Sequence, residues 1–259
     1  MTSHAPDRPR GHATGAVPAH RIGMLVPSSN TVLEPATAAL TAPLAAEVGV
    51  HFARFRVTRI GLDTDADAQF SSEPILAAAD LLADAKPSVI AWNGTSASWR
   101  GFETDADLCA AIQERTGCRA TSAIVSLNAA LRALDVRRLG LVTPYTADVE
   151  AAIVANYATL GIEVAAARRA DLSDNHSFAD IPASDVRAMC RDVAARGVDA
   201  LAIVCTNMRG PMIAPAVEAE FGIPVLDSIA ATLWGALAIL GVDPAPLAPA
   251  GRVFTLPPP

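Results

Sequence analysis

Short apolar runs alternate with alanine-rich stretches of helical period along almost the whole chain. Residues 21–26 form a run of buried-strand length that stops at Pro27-Ser28-Ser29-Asn30, and residues 31–40 follow with helical spacing. Residues 51–57 alternate and read as a second strand, 74–85 as a helix and 89–92 as a third strand. Residues 104–116 read as an amphipathic helix with Asp105 and Asp107 in its first turn, where they complement the helix dipole. A short strand over 120–124 and a helix over 126–134 complete the first half. Strand–helix alternation of this kind predicts an α/β fold with parallel sheet.

The pattern then restarts. Residues 138–145 repeat residues 21–28 at an offset of 117. Cys205-Thr206-Asn207 repeats Gly94-Thr95-Ser96 at an offset of 111, each at the polar end of an apolar run. Ser228 and the helix after it repeat Ser122 and its helix at an offset of 106. Three matches in one order indicate an internal duplication. The expected architecture is two pseudo-symmetric lobes, each a short parallel sheet flanked by helices. Residues 21–125 with 229–259 make the N-terminal lobe, 126–228 the C-terminal lobe, and 1–20 a disordered leader. Ligands of open parallel sheets bind beyond the carboxyl ends of the strands. The polar stops lie there, so the active site is expected in the cleft between the lobes.

Composition narrows the function. The chain has 259 residues and a net charge of −7, which argues against nucleic acid as its main partner. Residues 229–240, the longest strongly apolar stretch, are too short to span a bilayer, so no membrane partner is expected. No secretory signal is visible, which points to a cytoplasmic location and reduced thiols. Cys109, Cys118, Cys190 and Cys205 show no zinc or redox spacing. There is no P-loop and no G-x-G-x-x-G, so neither a cofactor nor a metal is expected. The alanine-rich helices leave a homo-oligomer open.

The candidate chemistry sits at the strand ends. Thr95 and Ser96 would offer adjacent hydroxyls and amides to a carboxylate or an oxyanion, or simply cap a helix. Cys205 could serve as proton donor, base or nucleophile, the N–H groups of a following helix favouring its thiolate. Cys109, Cys118 and Cys190 fit a buried apolar role. Pro27, Ser28 and Asn30 open a helix and could hold a second carboxylate; Tyr145, in the symmetric loop, offers a phenolic hydrogen bond. Asn175 is a plausible donor beside His176, which reads as a solvated loop residue. Arg100 and Arg209, after the two symmetric turns, could attract anions. Gly94, Thr206 and Asn207 complete the expected substrate contacts.

This set resembles the aspartate/glutamate racemase superfamily, in its branch of maleate cis–trans isomerases and arylmalonate decarboxylases. The likeness runs from about residue 21 to residue 254. It is carried by Val26-Pro27-Ser28-Ser29-Asn30, Val142-Thr143-Pro144-Tyr145, Gly94-Thr95-Ser96 with Arg100-Gly101, and Cys205. The resemblance implies two thiols in racemases and isomerases, at the positions of Gly94 and Cys205, and only the second in decarboxylases. It implies an oxyanion pocket of Thr95, Ser96 and Tyr145, and carboxylate contacts from Asn30 and Asn175. With glycine at 94, the expected activity is cofactor-independent decarboxylation of a malonate-like dicarboxylate, the enediolate being protonated by Cys205. Maleate isomerisation or racemisation is the alternative, and a non-catalytic carboxylate binder the third reading. A thiol introduced by Gly94→Cys is expected to add proton exchange at the α-carbon.

Overall fold

The structure, a computed structural model, describes residues 18–259. Most of the expected leader lies outside the described residues, and His20 already opens the first strand. The first half runs β1 (His20–Pro27), α1 (Leu33–Thr41), β2 (Val48–Phe55), α2 (Thr64–Ala68), α3 (Ser72–Ala83), β3 (Val89–Trp92), α4 (Ala97–Arg100), α5 (Glu103–Thr116), β4 (Arg119–Ser122) and α6 (Ala123–Ala133). The second runs β5 (Arg138–Thr143), α7 (Ala147–Thr159), β6 (Glu163–Arg169), α8 (Ala183–Ala194), β7 (Ala200–Ile203), α9 (Gly210–Phe221), β8 (Val225–Asp227) and α10 (Ser228–Leu240).

The two halves build the same sheet. Strand order is β2-β1-β3-β4 in one and β6-β5-β7-β8 in the other, and every named pairing is parallel. Central β3 and β7 are buried at every position, which is why they read as uninterrupted apolar runs. The second strand starts three residues earlier and ends two earlier than its alternation suggests, because backbone pairing joins His20 to Val48 and Pro27 to Phe55. The strand expected over 120–124 ends at Ser122, whose hydroxyl accepts from Val125 N at 3.0 Å and starts α6 there. Asp227 caps α10 in the equivalent way, accepting from Ile229 N and Ala230 N. The caps therefore align Ser122 with Asp227, an offset of 105 in place of the 106 read from the two serines.

Helix α10 returns to the first half, packing on α1, α6, β3 and β4. Its close crossing with α6 needs Gly235: a Cβ there would run into the Ser126 hydroxyl. The halves are also stitched together at their rim. Ile60 N donates to Ser173 O at 2.8 Å and Asn175 N to Thr58 O at 2.9 Å, flanking an antiparallel bridge between Arg59 and Asp174. Among the described residues, no helix is long and apolar enough to cross a membrane.

Gly235→Ala is expected to cost about 1–3 kcal/mol through overpacking of the α6–α10 crossing. Urea unfolding of the two proteins side by side measures the loss.

Candidate active site

The carboxyl ends of the two sheets face each other, and the first thing they share is a buried hydroxyl. Thr206 Oγ1 accepts from Asn30 Nδ2 at 3.1 Å and donates to the Asn93 carbonyl at 2.9 Å. Its neighbour Asn207 works in the same direction. Asn207 Oδ1 accepts from Thr31 N and Val32 N at 3.0 and 3.2 Å, while Nδ2 donates to Asn175 O at 2.6 Å. Asn175 Nδ2 then donates to Ser29 Oγ at 2.7 Å. Asn30 has a second duty, accepting through Oδ1 from Val32 N and Leu33 N to start α1. Arg54 steadies this loop by donating to the Ser28 and Asn30 carbonyls, both at 2.9 Å.

Beside that network lies the sulfur. Cys205 is 2% exposed, and its Sγ accepts from Asn207 N at 3.3 Å. The Tyr145 hydroxyl faces the sulfur and stands 2.7 Å from Thr95 Oγ1. Either hydroxyl of that pair can be the donor, and the pair places Thr95 and Tyr145 together on the side of Cys205. Trp99 and Phe178 hold the Tyr145 ring edge-on, at centroid distances of 5.1 and 5.6 Å.

Burial sets the electrostatics. It pushes the Cys205 thiol up to about 12, with the Asp227 carboxyl adding to the effect and the Asn207 N–H and Tyr145 hydroxyl opposing it. The expected backbone N–H groups are present, from Asn207 and Met208 in the turn before α9, which begins at Gly210, and they favour the thiolate against the larger effect of desolvation. Burial likewise raises the Tyr145 phenol well above its ordinary value. One carboxyl is buried near the strand ends of each half. Asp105 and Asp227 are both pushed up to about 7 by desolvation, and each keeps an oxygen, Oδ2, without a hydrogen-bond partner.

The structure thus brings together Thr95, Tyr145 and Cys205, and around them Asn30, Asn175, Thr206 and Asn207. Ser96 makes no side-chain hydrogen bond to that group; it borders a separate cavity of about 380 Å³ with Phe70, Trp92, Arg100 and Asp105. Pro27 closes β1, and the Ser28 hydroxyl is spent on the backbone of Val57. Arg100 pairs with Asp67 at 2.7 Å, and Arg209 donates twice to the Ala179 carbonyl at 3.1 Å. His176 is exposed. Gly94 does not leave an open face, contrary to expectation, because a Cβ built on it would overlap the six-membered ring of Trp92. Trp92 carried no weight in the sequence, although strand period two places it on the same side as Gly94. No group of three or more metal-ligating side chains occurs among the described residues.

Duplicated parallel sheets meeting at a single buried thiol define a two-lobed α/β enzyme of the aspartate/glutamate racemase-like fold. The sequence model of the family described as arylmalonate decarboxylase matches residues 22–254. Maleate isomerase of Nocardia farcinica is 31% identical over 242 residues, covering 90% of this chain and 95% of that protein. Arylmalonate decarboxylase of Bordetella bronchiseptica is 29% identical over 170 residues, 64% and 71% of the two chains. Among solved structures, a Cys-to-Ser variant of the Nocardia farcinica isomerase with a covalently bound succinylcysteine intermediate superposes with a TM-score of 0.83. It is 28% identical, covering 91% of this chain and 98% of that one. The chain belongs to the arylmalonate decarboxylase family, a family of lyases and isomerases, and the reading as a non-catalytic binder falls with that membership.

Asp105 and Asp227 favour their protonated forms in the fold. The stability each contributes is fully present below about pH 4 and is lost as pH rises through about 7. The urea midpoint is therefore expected to fall between pH 4 and 8. Asp227→Asn, which keeps the capping oxygen, should fall less steeply and exceed the parent at pH 8.

Proposed function

We propose that the enzyme decarboxylates a substituted malonate-like dicarboxylate without a cofactor, Cys205 delivering the proton that takes the place of CO₂. One observation carries this reading: Cys205, the one thiol of the cleft among the described residues, is buried beside a tyrosine bonded to Thr95, where desolvation favours its protonated form. The remaining cysteines lie on α5, in the turn after it, and on α8.

Breaking the C–C bond leaves its electron pair on the α-carbon, where the remaining carboxylate delocalises it as an enediolate. Hydroxyl donors fixed in a dry site stabilise that developing charge without reorganising. The Thr95–Tyr145 pair offers such a donor: one hydroxyl hydrogen bonds within the pair and the other is left for the substrate. The S–H bond of Cys205 then breaks as the C–H bond forms, and the thiolate left behind takes a proton from solvent. Asn30 and Asn175 supply amide hydrogens for the second carboxylate, although each already spends one on the fold.

Maleate cis–trans isomerisation is the second reading, favoured by likeness to maleate isomerases along nearly the whole chain. A covalent route of the succinylcysteine kind asks for a nucleophilic thiolate, and desolvation at Cys205 opposes that ionisation.

A panel of α-substituted malonates and maleate, assayed for CO₂ and for fumarate, separates the two. CO₂ release is expected, with kcat/KM falling about 10²- to 10⁴-fold in Cys205→Ala and about 10²-fold in Tyr145→Phe. Fumarate formed from maleate without CO₂ would select isomerisation instead.

A further inference from the structure

Position 94 is bracketed by contacts to the catalytic side. Asn93 accepts from Thr206, Thr95 is bonded to Tyr145, and Gly94 lies between them on the strip of backbone facing Cys205. Its backbone lies outside the left-handed region, so no conformational strain opposes a side chain there. Only space does, and Trp92 has taken it: Cζ2, Cε2 and Cη2 of the indole all fall where a Cβ would sit.

The indole is held from several sides. Phe55 packs against it at a centroid distance of 5.1 Å, and the Asp105 carboxyl lies beside it with Ser122. The ring is 1% exposed and also borders the cavity of about 380 Å³ that Ser96 and Phe70 line. Trp92 is therefore a partition, with that cavity on one side and the Gly94 strip on the other.

We propose that Trp92 is the specificity-determining residue of this site: its indole closes the first-lobe face, excludes any side chain at position 94, and confines proton transfer to the Cys205 side. The proposal rests on the decarboxylase reading for its chemistry but not for its sterics. It also revises the simple expectation for Gly94→Cys. A thiol at 94 fits only when Trp92 is shortened.

The test is a cycle of Gly94→Ala and Trp92→Leu, followed by Gly94→Cys in each background. In the parent, Gly94→Ala should lower Tm by roughly 5 °C or more. In Trp92→Leu the same change should cost less than half of that, because the indole it would strike is gone. Gly94→Cys alone should leave exchange of the α-proton of an α-substituted carboxylate in deuterated water at the parent rate. Trp92→Leu/Gly94→Cys should raise it about tenfold or more. Trp92→Phe serves in the cycle if the leucine variant does not fold. The proposal is overturned if Gly94→Ala in the parent leaves Tm unchanged, if the cycle shows no coupling, or if Gly94→Cys alone exchanges as fast as the double variant. The stability cycle decides the role of Trp92 even when the parent releases no CO₂ from any malonate, a result that would sink the decarboxylase reading alone.

Discussion

A hydroxyl that cannot reach water holds the two lobes in register. Thr206 belongs to the second sheet, yet both its partners, Asn30 and Asn93, belong to the first. An unpaired buried polar group costs about 1–3 kcal/mol, so each lobe has a strong reason to stay where these bonds can form. Asn207, one residue later, bonds Thr31 of the first half and Asn175 of its own. Cys205 immediately precedes both residues, so the bonds that dock the lobes also fix the sulfur against Tyr145 and, through it, Thr95. Position of the thiol and closure of the cleft are one constraint.

The duplicated halves solve the problem beneath the site differently. In the first, the buried carboxyl comes from the helix: Asp105 of α5 lies against Ser122 at the end of β4. In the second it comes from the strand end: Asp227 of β8 lies against Gly210 at the start of α9, where a Cβ would overlap its Oδ2. A carboxyl and a small residue have changed places between equivalent elements. Each lobe places one carboxyl at this junction, since a second, ionised beside the first, would add repulsion to desolvation.

Much of the architecture is legible because central parallel strands must be apolar on both faces. The runs at 89–92, 139–142 and 199–204 carry that signature, and their polar ends point to Thr95, Tyr145 and Cys205. Edge strand β6 is a different case. Glu163–Arg169 is half-buried, alanine-rich and charged at its end, so neither alternation nor an apolar run marks it. Helix boundaries shift where a cap decides them, as at Ser122. At the site, residue types predict hydrogen-bonding capacity but not how it is used. Ser96 and Ser28 have the right chemistry but are directed elsewhere, and Trp92 reads as one more core aromatic until its overlap with position 94 is seen in three dimensions.

Burial also bears on the proposed chemistry of the sulfur. A racemase must begin by removing a proton, which requires a resting base, and a thiol pushed up to about 12 is not one at neutral pH. Decarboxylation makes no such demand, since loss of CO₂ generates the electron-rich carbon and the enzyme needs only an acid. The same low dielectric that holds the proton on Cys205 strengthens a hydrogen bond from the Thr95–Tyr145 pair to an enediolate. In the proposed reaction the thiolate left by the transfer would be strongly basic and would recover its proton readily. Desolvation, which looks like an obstacle to cysteine chemistry, favours the one-proton route over the two-base one.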